Sequence, residues 1–82
     1  MSIENLDNDR WYKIQDIVRD WYQEQVKNKN LREEFVMVCE RVAKVIEAEQ
    51  IAPEKIKDWL PEAENNEEQK ILDNLTNRLK AV

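Results

Sequence analysis

The sequence predicts an all-α fold, a small helical bundle of three longer helices plus one short helix, with helix 2 central. Three observations lead there. Glycine is absent from all 82 residues, apolar residues recur every three or four positions in three long segments, and each proline falls at an expected helix boundary. Average glycine usage is about 7%, and without it the primed turns and bulges of β-rich folds lack the residue that suits them. Asparagine then has to serve wherever a positive φ is needed, and Asn28, Asn30, Asn65 and Asn66 stand in expected loops.

The first helix is expected over about residues 7–27. Its apolar side chains Trp11, Ile14, Ile17, Val18, Trp21, Tyr22 and Val26 fill one half of a wheel drawn at about 100° per residue. Asp7 is the expected N-cap, Asp9 suits the first turn, and Leu6 is spaced to staple onto Trp11. Tyr12 lies outside the stripe. The aromatic pair Trp11-Tyr12 is echoed by Trp21-Tyr22, but ten residues of helix leave the pairs about 80° apart, so the echo is read as shared composition rather than a repeat unit.

Lys27-Asn28-Lys29-Asn30 breaks the pattern, and Asn30 with Glu33 has capping-box spacing for a second helix over about residues 31–50. Its main stripe is Leu31, Phe35, Val38, Val42, Val45 and Ile46, with Cys39 at the edge. The run Phe35-Val36-Met37-Val38-Cys39 is apolar at five successive positions, which point all round a helix. Such a helix is enclosed by its own chain, or part of its surface is covered by another molecule.

Pro53 disfavours helix at Ala52 yet suits a first turn, so a short helix is expected over residues 53–60, closed by Pro61. Ile56, Trp59 and Leu60 form its apolar edge. A last helix over about residues 66–81 begins at Asn65 or Asn66, has Glu67 and Glu68 in its first turn, and carries Ile71, Leu72, Leu75, Leu79 and Val82 in a narrow stripe. That stripe is too short for an independent coiled coil and has to dock.

Residues 1–82 are read as one domain, which at this size buries only about 60–65% of its unfolded surface. One cysteine allows no intrachain disulfide, and with no histidine there is no ordinary zinc site. A partner or second subunit is the remaining means of fastening so small a chain. Charged residues make up 38% of the sequence at a net charge of −5, interspersed as on solvated helix faces. The acidic balance disfavours direct nucleic-acid binding. Residues 1–5 show no basic or apolar leader pattern, no apolar run reaches the ~20 residues of a membrane span, and the lone thiol suits a reducing compartment. The expectation is a soluble cytoplasmic protein with no membrane partner.

Catalytic chemistry is not indicated. The candidate nucleophiles are Ser2, Thr76 and Cys39, no histidine is present to activate them, and Cys39 sits among apolar neighbours that disfavour a thiolate. A phosphate-cradling glycine loop cannot be built without glycine. Paired carboxylates such as Asp16 with Asp20 and Glu33 with Glu34 alternate with cations, and Asp16 with Arg19 or Glu40 with Lys44 read as surface contacts. No catalytic, metal or cofactor residue and no small-molecule substrate is assigned.

The surplus of apolar side chains at Tyr12, Val36, Met37 and Trp59 is the functional signal, because Met and aromatic residues are enriched where proteins meet. The expected function is a non-enzymatic acidic interaction module: a regulator, inhibitor or accessory subunit of a larger protein, with a homodimer as one form. The alternative is a helical subunit of a nucleic-acid-binding complex, using a helix-turn-helix-like bend at Pro53 or acting as an acidic mimic of nucleic acid.

Overall fold

A computed structural model describes residues 8–82; the expected Asp7 cap and Leu6 staple lie outside these residues. The fold is an all-α bundle of α1 (Asn8–Trp21), α2 (Glu33–Ala48), α3 (Pro53–Trp59) and α4 (Asn66–Leu79), with no strand among the described residues. α1 continues without a break into a π turn over Tyr22–Lys27.

The π turn was not expected from the apolar spacing. Its wider winding brings a residue five positions on toward the same side of the helix, which lets both Trp21 and Val26 be fully buried. The Asn28 side-chain amide finishes it by donating to the Gln23 carbonyl at 3.3 Å.

α2 starts at Glu33 rather than residue 31. Its N-cap is Arg32, with φ −56° and ψ 137°, and not Asn30. The reason is tertiary: the Arg32 side chain is drawn to α4. The buried stripe of α2 is Phe35, Cys39, Val42 and Ile46, so Cys39 lies at its centre, while Val38 and Val45 flank it, half-buried.

Both prolines act as expected. Ala52 (φ −66°, ψ 145°) and Leu60 (φ −76°, ψ 151°) are extended before Pro53 and Pro61, which starts α3 and ends it at Trp59. Asn65 caps α4, its side-chain oxygen accepting from Glu68 N at 2.9 Å. The expected stripe Ile71, Leu72, Leu75 and Leu79 is buried, and the helix closes at Leu79 into tight turns through Lys80 and Ala81. No described residue has a positive φ, so no loop asparagine takes the left-handed role.

The helices run up, down, up, down. α1 and α2 are antiparallel: Trp11 and Gln15 near the start of α1 bond to carbonyls near the end of α2, and Tyr22 reaches Glu40 in mid-helix. Pro53 lies beside Leu79 and Lys80, whereas the Glu62 carbonyl lies beside Arg32, so α3 and the following segment return along α2. α1 packs on both α2 and α4, and α2 packs on α1 and α3. Centrality, expected of helix 2, is thus shared with helix 1.

One apolar core joins the helices, with Ile14, Val18 and Trp21 of α1 meeting the stripes of α2 and α4 and Ile56 of α3. Burying side chains of this kind stabilises a fold by about 1.5–3 kcal/mol each. α2 ends without glycine because α1 supplies the cap. Trp11 Nε1 donates to the Ile46 carbonyl at 3.1 Å, and Gln15 Nε2 to those of Ile46 at 3.3 Å and Glu47 at 3.2 Å, occupying acceptors that the last turn leaves open.

Candidate functional site

The face of α2 turned away from the core is the candidate site. Because Phe35, Cys39, Val42 and Ile46 point inward, the 3.6-residue repeat turns Met37, Arg41, Lys44 and Ala48 outward as one line. Met37 is 54% exposed. It borders two open grooves. One, of about 410 Å³, separates α2 from the segment after α3 and is bounded by Met37, Val38 and Arg41 on one side and Pro61 and Glu62 on the other. The second, of about 400 Å³, follows α2 onward past Arg41, Lys44, Val45 and Ala48.

The first groove is held in shape by Arg32. Its Nε donates to Glu68 Oε2 at 2.8 Å and one terminal nitrogen donates to Glu68 Oε1 at 2.9 Å, a two-pronged clamp from the entry of α2 to the first turn of α4. Glu68 is buried, and its Oε1 also accepts from Glu64 N at 2.9 Å, so the carboxylate reaches back past the Asn65 cap. Arg32 further contacts the Glu64 carboxylate at 3.4 Å and Glu34 at 3.6 Å. The Arg32 hydrogen bonds hold the Glu68 carboxyl below the usual carboxylate range, and those same bonds raise the Arg32 guanidinium above its ordinary value. The sequence carried a signal for this pair: Glu68 falls on the apolar stripe of α4, where an acid needs a cation.

Four residues were expected at an interface: Tyr12, Val36, Met37 and Trp59. Met37 fronts both grooves, and neither groove is lined by Tyr12, Val36 or Trp59. Val36 is half-buried against the core. Tyr12 is 55% exposed on α1, stacked on Trp11 with ring centroids 5.3 Å apart, and Trp59 is 43% exposed at the end of α3.

Charged side chains form a mixed surface. Asp16 and Arg19 pair at 3.5 Å as expected, but Glu40 accepts from the Tyr22 hydroxyl at 3.5 Å and does not pair with Lys44. Burial, then Glu40, pushes the Tyr22 hydroxyl up. Burial pushes the Cys39 thiol up to about 12, with a smaller push from the Glu68 charge, so it packs as a small apolar group. Among the described residues, no group of three or more His, Cys, Asp or Glu is placed to hold a metal ion, and no helix is long and apolar enough to cross a membrane. On α3, Glu54 and Asp58 accompany Lys55 and Lys57 on the exposed side. No protein-family model, curated protein or solved structure matches this chain.

Proposed function

We propose that this chain is a non-enzymatic, cytoplasmic protein-interaction module that works through the outward face of α2, as a regulator or accessory subunit of another protein. The observation that carries the reading is Met37, a flexible apolar side chain left half in water between two grooves, on a helix whose inner stripe is already satisfied. Methionine adapts to irregular apolar partners and is favoured at such contacts. The side chains of Arg41 and Lys44 beside it make no hydrogen bond or ion pair among the described residues, so they are available to steer an approaching surface.

Affinity capture from an extract of the native host, run side by side with the wild type and Met37→Glu, tests this. A protein retained by the wild type and lost from the folded variant supports the α2 face as the contact. Equal retention by both sinks it.

A further inference from the structure

Resting on that reading of the α2 face as a contact surface, we propose that, when no other protein covers it, the outward face of α2 pairs with α2 of a second copy of this chain, antiparallel across a twofold axis level with residue 39. The first argument is charge. Along the outward face the acids Glu33 and Glu34 come first and the cations Arg41 and Lys44 follow, with Met37 between them; Glu40, at the edge of the face, accepts from the Tyr22 hydroxyl of its own chain. A twofold contact presents the same surface to itself, so each residue must find a complement elsewhere on its own face. In the antiparallel setting, positions equally far on either side of residue 39 oppose one another. Glu34 then meets the partner subunit's Lys44, and Met37 lies along the aliphatic stem of the partner subunit's Arg41. Symmetry repeats both pairs. A parallel setting would instead stack acid on acid and cation on cation.

The second argument is shape. Met37, Arg41, Lys44 and Ala48 follow the alternating three- and four-residue spacing of a helix-pairing seam, and Glu34 continues it. The groove bounded by Met37, Glu40, Arg41, Lys44, Val45 and Ala48 stands on the side of Met37 where the opposing Met37 would arrive. Its volume of about 400 Å³ leaves room for that side chain. Each copy thus offers one apolar knob and one hole.

The pairing is small. A helix of 16 residues is about 24 Å long, and one helix face falls short of the ~800 Å² per partner of a standard interface. The dimer is therefore concentration-dependent, and the association has to be followed from about 10 μM to about 1 mM.

Sedimentation equilibrium on the full chain tests it with Glu34→Lys, Lys44→Glu and the double variant, each checked for helix content by circular dichroism. The wild type is expected to dimerise, and each single change to raise the dissociation constant by about tenfold or more, because like charges now face each other. The double variant restores opposite charges across the axis and is expected to regain the wild-type association. A wild type that stays monomeric at the highest concentration, or a double variant no better than the single ones, overturns the self-pairing. The register has its own readout: oxidising a mixture of Met37→Cys and Arg41→Cys chains should give mostly the mixed cross-link, with buried Cys39 silent. Random cross-linking would overturn the register. A strictly monomeric chain whose Met37→Glu variant still loses its captured protein leaves the interaction-module reading standing while removing this one.

Discussion

Trp11 and Trp21, ten residues apart at the two ends of α1, hold two different neighbours by the same kind of bond. Trp11 Nε1 donates to the Ile46 carbonyl of α2 at 3.1 Å, and Trp21 Nε1 donates to the Ile71 carbonyl of α4 at 2.8 Å. Ten residues of helix advance the side chain by whole turns less about 80°, which points the two indoles at separate helices.

This division makes their contributions separable. Trp21 is fully buried, so Trp21→Phe should cost about 2 kcal/mol, the sum of a lost hydrogen bond and the space left by the smaller ring. Trp11 is half-buried and Gln15 still serves the Ile46 carbonyl, so Trp11→Phe should cost less than about 1 kcal/mol. Urea unfolding of the double variant should return the sum of the two within about 0.5 kcal/mol. A large coupling would mean that the two helices are not held independently.

The Arg32–Glu68 clamp predicts an acid-sensitive step. The folded-state pKa of Glu68 lies below its unfolded value, so the stabilisation is complete above the unfolded pKa of about 4.3 and is lost as pH falls through the lower folded value. Glu68→Gln removes that titration. Denaturant midpoints measured from pH 7 to pH 3 should therefore fall less steeply below pH 4 for the variant than for the wild type. Parallel profiles would show that Arg32 does not bias this carboxyl.

Cys39 should resist modification in the native protein. With its pKa pushed up to about 12, only about one thiol in ten thousand would be ionised at pH 8 even if it were reachable, and it is buried. A disulfide reagent should react at the rate of unfolding, and the rate should climb with denaturant. Complete reaction within seconds under native conditions would contradict the buried placement.

Two neighbours on α2 should behave in opposite ways. Phe35 is fully buried, and Phe35→Ala should cost about 3–5 kcal/mol, enough to unfold much of so small a domain. Met37→Ala should change monomer stability by no more than about 0.5 kcal/mol, since its side chain stands largely outside the core. Thermal melts at low protein concentration compare them directly. A strongly destabilised Met37 variant would place that side chain in the packing.

Helix positions were legible because the apolar spacing at Ile14, Val18, Phe35, Val42, Ile46, Ile71 and Leu75 reports a local period, and the bends were legible because proline restricts the residue before it. What local spacing does not carry was missed. The π turn shares its apolar residues with an ordinary helix, and Arg32 rather than Asn30 heads α2 because of a partner 36 positions away. For the candidate site, the apolar spacing set Val36 and Met37 alike outside the stripe, whereas only Met37 is exposed and Val36 packs half-buried on the core, since the phase of a uniformly apolar run is set by the helices packed on it. Tyr12 and Trp59 were legible as exposed aromatics, but their distance from the α2 grooves depends on topology.

The negative φ of every described residue has a bearing on how freely this sequence can drift. Its connections, Asn28 and Asn30 included, sit in backbone regions open to most amino acids, so none of them requires glycine. Variation at those corners is limited by side-chain roles such as the Asn65 cap and the Arg32 clamp and by the two prolines, not by any need for glycine.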